Sequence, residues 1–569
     1  MTIDRRRALA LFGLGGASAA GEAMAAKPRA MFTGRAAFLH GVASGDPLED
    51  RVVLWTRITA EATTAPIAVR WDVATDPAFK TIVRQGQATA VAARDYTVKV
   101  DVTGLKPATD YHYRFRYVRN GKPFGKGVAG RTRTLPTGST QDVVLAVASC
   151  ALHPNGYFNA YDAIARLPRV DAVLHLGDYI YEYGAAPADY GMASPTAKTR
   201  VPDPPREIVS LDDYRRRHAQ YKTDPALQAA HARAPWIVVW DDHETADNSW
   251  LAGAENHQPK TEGDWVKRKA GALKAYYEWM PIREPATGGL PEASWRRFQF
   301  GDVATLLMTE TRLTARSHQL DYGHDLPIKD GKPDFAAFAA KLADPDRRMM
   351  GQGQEQWLAR EIDASTKGGT AWQVLGNQVV MARVVPPDLK AAMGEQPYAA
   401  LLAALPPYVA KLVEQSRGLA LAGVPGNLDA WDGYPADRAR VYDIFKAGKA
   451  RPIVLAGDSH AFWVNELWDD AGVTRVAAEF GVTSVTSPGY SDYLPGAPLD
   501  QAYAARNKEV KFTDQGAKGF LLLTLEHGRA TGELIAVSTI LDTNYQTRVV
   551  KRFVVTPGDE GGVKALAEG

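Results

Sequence analysis

The chain has 569 residues, 45% of them hydrophobic, and a formal net charge of +2 at pH 7. This length indicates two or more domains, and the apolar fraction is that of a folded globular protein rather than a disordered one. The near-neutral charge gives no support for nucleic-acid binding or for a polybasic membrane-binding surface. The single cysteine, Cys150, excludes an intramolecular disulfide.

The first 25 residues have the order of a secretory signal. Residues 4–7 (DRRR) precede a short apolar segment, and residues 23–25 (AMA) offer a small-residue cleavage site. The paired arginines resemble a twin-arginine signal, which exports folded proteins. We therefore expect residues 1–25 to engage the twin-arginine export machinery, and the mature protein to be periplasmic or secreted, without a transmembrane segment. A basic N-terminal tail with no targeting role is the alternative.

Residues 32–134 show the alternating pattern of short β-strands, for example over residues 51–57, 67–73 and 96–102. Residues 105–115 (LKPATDYHYRF) have the pattern of a tyrosine corner, in which a tyrosine at the start of a strand bonds back to the preceding loop. We expect a small all-β domain of the immunoglobulin or fibronectin type over residues 32–134.

From residue 141 the pattern changes to unbroken apolar runs separated by helix-like segments. Such runs are typical of strands that are covered on both faces, as in α/β folds. The sequence therefore predicts an α/β domain over residues 141–555, and the polar segment 317–405 is expected to be an insertion that covers its site. The apolar runs are residues 143–148, 172–176, 236–240 and 452–456.

Each apolar run ends in residues that can bind a ligand. Ligands bind beyond the carboxyl ends of strands in open α/β sheets. One aspartate after a strand is a common turn residue, but four such endings in one chain indicate a shared site. The four endings are residues 149–150 (SC), 177–183 (GDYIYEY), 241–244 (DDHE) and 457–460 (GDSH).

These residue types are those of a metal site. Carboxylates suit hard cations, thiolate and imidazole suit transition metals, and a phenolate such as Tyr181 favours ferric iron. A mixed set therefore indicates two or more different metals, which together can clamp a phosphate and generate a hydroxide for in-line attack. The sequence shows neither a serine-hydrolase elbow nor a phosphate-binding glycine loop.

The order of these motifs resembles the metallophosphoesterase superfamily and, within it, the PhoD-like alkaline phosphatases. The resemblance extends to residues 41–47 (GVASGDP) and 53–57 (VLWTR) and so covers nearly the whole mature chain. It implies a metallophosphoesterase-like β-sandwich flanked by helices, and a site that contains ferric iron and calcium. The motifs that carry it are Ser-Cys at 149–150, Gly-Asp-Tyr-Ile-Tyr-Glu at 177–182, Trp-Asp-Asp-His-Glu at 240–244 and Gly-Asp-x-His at 457–460.

The resemblance also implies roles for single residues. Cys150, Asp178 and Tyr181 correspond to the family's ferric iron ligands, with Asp178 bridging to a second cation. Asp458 and His460 correspond to the last ligand pair.

The third motif combines ligands and catalytic residues. Asp242 stands where the superfamily has a metal-binding asparagine. Asp241 is either a metal ligand itself or a residue that contacts and orients the ligands. His243 corresponds to a phosphate-contacting histidine and a candidate general acid, which we expect Glu244 to orient.

Four further residues are weaker candidates. In place of the superfamily's lone histidine, residues 372–378 offer only the amides of Asn377 and Gln378, which can contact calcium or substrate or simply form a strand-end turn. Residues 309–312 (TETR) depart from the family's Leu-Asp-x-Arg pattern and leave the role of Arg312 open. Asn248 is the fourth.

The sequence thus predicts an exported alkaline phosphatase that hydrolyses phosphate esters with a metal-activated hydroxide. A phospholipase-D-like phosphodiesterase of the same fold is the closest alternative. A non-catalytic surface binding protein that kept the fold is the second alternative, and the complete ligand set argues against it.

Overall fold

A computed structural model describes residue 32 and residues 34–569 of the chain. The predicted signal peptide, residues 1–25, lies outside the described residues. Two large β-sheets, of ten and seven strands, pack face to face and share a buried apolar core, and helices cover their outer faces. None of the helices among the described residues is long and apolar enough to span a bilayer.

The N-terminal segment folds as a β-sandwich. A four-stranded sheet of order β6-β5-β8-β9 packs against β2, β3 and β7 around a common core. The hydroxyl of Tyr111, at the start of β8, accepts a hydrogen bond of 2.8 Å from the backbone N–H of Lys106, so the predicted tyrosine corner is confirmed. The strands are β1 Ala36–Ala37, β2 Val42–Gly45, β3 Arg51–Arg57, β4 Thr59–Ala60, β5 Ile67–Ala74, β6 Ile82–Ala90, β7 Thr97–Thr103, β8 Asp110–Arg119 and β9 Lys122–Arg133.

The four predicted apolar runs form strands β10, β11, β12 and β18, and they divide between the two large sheets. The ten-stranded sheet has the order β25-β24-β23-β22-β10-β11-β12-β2-β3-β7, and the seven-stranded sheet has the order β13-β14-β17-β18-β20-β19-β21. The strands are β10 Asp142–Ala148, β11 Ala172–His175, β12 Trp236–Val238, β13 Arg296–Phe300, β14 Ala304–Met308, β15 Ile328–Lys329, β16 Lys332–Pro333, β17 Trp372–Gly376, β18 Pro452–Ala456, β19 Phe462–Trp468, β20 Arg475–Gly481, β21 Val510–Asp514, β22 Lys518–Glu526, β23 Arg529–Val537, β24 Thr547–Val555 and β25 Ala567–Glu568.

Helices connect these strands and flank the sheets. Several begin with a side-chain cap; for example, Asp224 and Asp264 accept hydrogen bonds from the first backbone N–H groups of their helices. The helices are α1 Asn159–Ala165, α2 Leu211–Lys222, α3 Pro225–Arg233, α4 Pro259–Glu262, α5 Trp265–Trp279, α6 Phe335–Leu342, α7 Gln352–Lys367, α8 Leu389–Met393, α9 Glu395–Ala404, α10 Pro407–Ala422, α11 Pro435–Ala447, α12 Tyr490–Tyr493 and α13 Leu499–Arg506.

The N-terminal sandwich shares its sheet with the following domain, because β2 pairs in parallel with β12. A Cβ atom on Gly45 would lie 2.3 Å from the Pro281 carbonyl oxygen and 2.7 Å from that of Trp236, so only glycine allows the two strands to approach this closely. Next to it, the Asp46 carboxylate accepts a hydrogen bond of 2.7 Å from the backbone N–H of Arg283. The Gly-Asp-Pro motif at residues 45–47 therefore joins the two domains.

The segment 317–405 is not a single insertion. It contains β17, which is buried and pairs in parallel with both β14 and β18 in the seven-stranded sheet. The sequence prediction was wrong here because a five-residue strand lies between long polar and helical stretches that hide it. The helices that follow, α8 to α10, pack with Leu494 and Leu499 around a small apolar core that is separate from the cores of the two large sheets.

Candidate active site

The candidate active site lies where strands of both large sheets end. Cys150 follows β10, Asp178 follows β11, Asp242 follows β12, and Asp458 and His460 follow β18. Four of these five residues have a positive φ, namely 61° at Cys150, 57° at Asp178, 60° at Asp458 and 56° at His460. Residues other than glycine rarely adopt this conformation, and it is concentrated at functional sites, where the surrounding structure holds it in place.

Two glycines explain why these strand ends can meet. Gly177 has φ 106°, and a Cβ atom there would lie 2.4 Å from the backbone nitrogen of Asp241. A Cβ atom on Gly457 would lie 2.4 Å from Oγ of Ser149. The glycine of each Gly-Asp motif therefore lets its aspartate approach the neighbouring strand end.

Cys150, Asp178, Tyr181 and His460 form one group, which we call the Cys150 cluster. Ligand atoms of Cys150, Asp178 and His460 lie within 4.8 Å of one another. The Tyr181 hydroxyl donates to Oδ2 of Asp178 at 2.9 Å and lies 3.3 Å from Nε2 of His460. Nδ1 of His460 lies 2.9 Å from the carbonyl oxygen of Pro488, an acceptor, so the ring can present an unprotonated Nε2 to the cluster.

The protonation preferences of the Cys150 cluster follow from its burial. Burial, reinforced by the negative charge of Asp178, raises the pKa of the Cys150 thiol and of the Tyr181 hydroxyl well above their usual ranges. Burial lowers the pKa of His460 to about 3, so its imidazole is neutral. A bound cation reverses the preference of the thiol and the phenol, because metal ligation requires the deprotonated forms.

A second group, the Arg312 cluster, places one guanidinium among four aspartates. Arg312 donates from Nε to Asp241 and from Nη1 to Asp429 at 2.8 Å. Its Nη2 lies 3.7 Å from an oxygen of Asp242 and 3.7 Å from an oxygen of Asp458. Burial raises the pKa of Asp241 to about 8 and that of Asp458 to about 7. At Asp242 burial acts in the same direction, but the charges of Arg312 and His243 lower the pKa below its usual range.

The departure from the Leu-Asp-x-Arg pattern is explained by Glu310. Its carboxylate accepts hydrogen bonds from the backbone N–H groups of Arg312, Leu313 and Thr314 at 2.6–3.0 Å, and from the indole of Trp240 at 3.1 Å. Glu310 thus fixes the loop from which Arg312 points into the site. The sequence left the role of Arg312 open because only the folded chain brings the four aspartates around it.

Asp429 was not identified from the sequence. It precedes a short helical turn, outside all of the recognised motifs, and its carboxylate contacts both Arg312 and Arg316. Isolated polar residues of this kind give no signal in a single sequence. The contact with Arg312 makes Asp429 a member of the same cluster as Asp458.

The orientation of His243 differs from the sequence expectation. Its Nδ1 lies 2.7 Å from Oε2 of Glu182, which is fully buried. Glu244 instead accepts hydrogen bonds from the backbone N–H groups of Asp178, Tyr179 and Asp241. The prediction that Glu244 orients His243 was wrong, because the side chain of Glu244 turns back to tie two strand ends together.

The remaining weaker candidates have structural contacts. The backbone N–H of Asn248 donates to Oδ2 of Asp242 at 2.7 Å, which helps to fix that carboxylate. The Asn377 amide contacts the carbonyl of Val379 and accepts from the indole of Trp431 at 3.1 Å. Gln378 lies in the same turn, where its amide accepts from Thr311 and donates to the carbonyl of Thr309. The side-chain amides of Asn377 and Gln378 therefore stabilise the turn at the end of β17.

The donors that are present fit a metal cluster. Ligand atoms of Asp178, Asp242 and His243 form a second group within 4.8 Å, so Asp178 belongs to both possible ion positions. Oδ1 of Asp178 and Oδ2 of Asp241 are buried without a hydrogen-bond partner among the described residues. The first group offers a thiol, a phenol and an imidazole, which are donors that suit a transition metal. The second group offers mainly carboxylates, which suit harder cations. One carboxylate oxygen of Asp241 is paired with Arg312, and the other is available to bind a cation.

The fold occurs in a known phosphatase. Purple acid phosphatase PPD1 from yellow lupin (Lupinus luteus) seeds superimposes with a TM-score of 0.50 over 92% of this chain and 74% of that chain, at 11% sequence identity. The chain therefore shares its fold with this phosphatase; the fold is mixed α/β with two large sheets and an N-terminal β domain, as predicted.

Sequence comparisons identify the family. The family model of the PhoD-like phosphatases matches residues 145–534, and that of their N-terminal domain matches residues 23–136. Alkaline phosphatase D of Bacillus subtilis (strain 168) is 36% identical over 466 residues, which are 79% of this chain and 70% of that protein. A solved structure of PhoD superimposes with a TM-score of 0.74, at 30% identity, over 93% of this chain and 92% of that chain.

The chain belongs to the PhoD-like phosphatase family, and it is a homologue of alkaline phosphatase D, a phosphoric ester hydrolase. The predictions of the family and of an enzyme are thereby confirmed. The alternative of a non-catalytic binding protein is set aside.

Proposed function

We propose that the protein is an exported alkaline phosphatase that hydrolyses phosphate esters with ferric iron at the Cys150 cluster and calcium at the adjoining position beside Asp178 and Asp242. The observation that carries this proposal is the position of Asp178, whose carboxylate belongs to both donor groups. In this proposal Cys150, Asp178, Tyr181 and His460 hold the iron. Asp178, Asp242, Asp458 and Asp429 provide oxygen ligands for calcium. Asp241 remains a candidate ligand and also orients Arg312.

Cations bound there would neutralise phosphate oxygens and lower the pKa of a water so that it can attack phosphorus. The protein's own contribution begins with His243, whose Nδ1 is engaged by Glu182, so that Nε2 remains to donate a proton to the leaving alkoxide. Arg312 adds a fixed positive charge beside Asp242 and Asp458. Asp242 is held by the backbone N–H groups of His243 and Asn248 at 2.8 and 2.7 Å.

Hydrolysis of 4-nitrophenyl phosphate and of bis(4-nitrophenyl) phosphate by the purified full chain tests this function. We expect turnover of the monoester that is lost after removal of metals with a chelator and is lowered by at least about 100-fold in Asp178→Asn, since one amide cannot serve two cations. Absence of turnover of both esters by metal-loaded protein would contradict the proposal. A clear preference for the bis-ester would favour the phosphodiesterase alternative.

Export is part of the proposal and is supported by the arginine pair and the small-residue site in residues 1–25. Replacement of Arg5 and Arg6 by lysine is expected to retain the protein in the cytoplasm, because the twin arginines are the export signal. Fractionation of cells that express either form measures this directly. Equal export of both forms would show that the N-terminus acts in another way.

A further inference from the structure

A large apolar cavity opens beside the candidate active site. It has a volume of about 1240 Å³ and lies between α8 to α10, α12 and the end of β18. One of its walls includes Ser459, which stands between Asp458 and His460 and accepts a hydrogen bond of 3.0 Å from the indole of Trp463. The cavity therefore adjoins the site at Ser459. A phosphate group alone would occupy only a small part of this volume.

The walls of the cavity are apolar and incompletely covered. Four of the large hydrophobic or aromatic side chains in the lining are exposed, namely Tyr408 at 66% exposure, Leu412 at 57%, Tyr490 at 50% and Tyr493 at 42%. Apolar surface of this extent gains free energy when an apolar group displaces water from it. Such an open apolar patch on a folded protein marks a place where a ligand or partner binds.

Three charged residues line the cavity, and each already has partners. Arg417 is paired with Asp388 at 3.1 Å, and Asp432 is paired with Arg438 at 2.7 Å. Asp321, whose side chain is 63% exposed, accepts hydrogen bonds from the backbone N–H groups of Gly323 and His324 and lies 3.0 Å from the His324 ring. Because these charges are already engaged, the lining favours a hydrocarbon group over a charged or polyhydroxylated one. The Arg312 guanidinium, and the residues that would hold phosphate-binding cations, lie outside the lining of the cavity.

We infer that the preferred substrate is a phosphate ester that carries a long hydrocarbon chain, and that this chain lies in the cavity while the phosphate lies against Asp458 and His460. The inference rests on the proposed phosphoesterase function and specifies its substrate class. The hydrocarbon chain that binds in the cavity can belong either to the group that stays on phosphorus or to the alcohol that is released. Its recognition depends on the length of the chain rather than on hydrogen bonds.

A series of 4-nitrophenyl alkyl phosphates from methyl to decyl, all used below their critical micelle concentrations, tests this inference. In each reaction water adds to phosphorus while the bond to 4-nitrophenolate breaks, releasing alkyl phosphate, nitrophenolate and protons, so the leaving group is constant. We expect kcat/KM to rise about twofold to fourfold for each added methylene until the cavity is filled. A rate that is independent of chain length, or that rises only when micelles form, would overturn the inference.

Variants of the cavity wall separate chain binding from a general effect on the protein. Leu412→Gln and Tyr408→Gln change half-exposed side chains on α10, so folding is spared, and we expect the gain from methyl to decyl to fall at least about tenfold. Leu421→Gln is the matched control, since Leu421 lies on the same helix at 64% exposure and does not line the cavity. Equal loss in the control, or unchanged chain dependence in Leu412→Gln, would contradict the assignment.

A binding measurement distinguishes failure of this inference from failure of the proposed function. Calorimetry of decylphosphonate and of methylphosphonate measures binding without turnover, because their P–C bonds are not hydrolysed. We expect decylphosphonate to bind at least about 100-fold more tightly, and Leu412→Gln to reduce this ratio. If neither 4-nitrophenyl phosphate nor any ester in the series is hydrolysed but decylphosphonate binds in this manner, the proposed function fails and the cavity assignment stands. Equal affinities would overturn the cavity assignment whatever the activity.

Discussion

The carboxylate of Glu182 lies 2.7 Å from Nδ1 of His243, and this contact determines which ring nitrogen faces the candidate site. Glu182 is held in turn by the backbone N–H of Asp247 and the amide of Asn256, both at 2.8 Å. Burial by itself would lower the pKa of His243, but the charges of Asp242 and Glu182 outweigh it and raise this pKa well above its usual range. These charges therefore favour the protonated form of His243, which supports its proposed role as a proton donor.

The first prediction concerns this pair. Glu182→Gln removes the negative charge while keeping the shape, so the pKa of His243 falls and its ring is less firmly oriented. We expect kcat to decrease about 10- to 100-fold for an alkyl phosphate, which needs a proton on its leaving oxygen, and to decrease much less for 4-nitrophenyl phosphate, which does not. Steady-state kinetics with both esters measure the difference. Equal losses would indicate that Glu182 only maintains the structure.

The second prediction concerns Arg312. Arg312→Met removes the guanidinium that Asp241, Asp242, Asp429 and Asp458 share. Breaking a buried ion pair in this way lowers the free energy of unfolding by about 3–5 kcal/mol. We expect a lower melting temperature and a decrease in kcat/KM of about 100-fold or more. Arg312→Lys keeps the charge but loses the forked geometry, so its effects should be intermediate. Wild-type kinetics in Arg312→Met would contradict a role in the site.

The third prediction concerns Cys150. Cys150→Ser keeps the size of the side chain but replaces a thiolate ligand with a hydroxyl, which transition metals bind more weakly. We expect the iron content of the natively exported protein to decrease at least about tenfold, with the calcium content less affected. Elemental analysis with parallel activity measurements checks this, and Cys150→Ala serves as the complete deletion. Unchanged iron and activity in both variants would refute the proposed iron site.

Much of the architecture could be predicted because the strands carry strong local signals. The unbroken apolar runs that precede Cys150, Asp178, Asp242 and Asp458 are strands in the structure, and the residues after them converge. The tyrosine corner at Tyr111 could also be predicted from the sequence, since a contact between residues close in the chain determines it.

Other features depend on contacts between distant parts of the chain, and the sequence does not reveal them. Glu182 and Glu244 belong to different motifs, and Glu244 is adjacent to His243 in sequence, yet the fold brings Glu182 to the His243 ring. Asp429 lies 117 residues from its partner Arg312 and belongs to no motif. The pairing of β2 with β12 likewise joins two segments that the alternating patterns present as separate domains.

The last prediction concerns stability and pH through His218 on α2. This residue is fully buried, its ring stacks against Trp279 with 6.4 Å between centroids, and neither ring nitrogen has a hydrogen-bond partner among the described residues. Burial lowers the pKa of His218 to about 3 from the ordinary value of 6.5. The unfolded chain therefore takes up a proton before the native protein does. The contribution of His218 to stability is complete above pH 6.5 and is lost progressively as the pH falls from 6.5 towards 3.

His218→Phe keeps an aromatic ring against Trp279 and removes the titration. Because His218 stays neutral in the native state, it lowers the free energy of unfolding of the wild type by about 2 kcal/mol between pH 7 and pH 5. In the variant, the decrease in the free energy of unfolding between these pH values should therefore be smaller by about 2 kcal/mol. Denaturant unfolding at both pH values measures this. Loss of metals in acid affects both proteins and cancels in the comparison. His324→Gln is the control for removal of a histidine at the surface, because its side chain is 90% exposed. Identical acid dependence in His218→Phe and the wild type would show that His218 is protonated within the native fold.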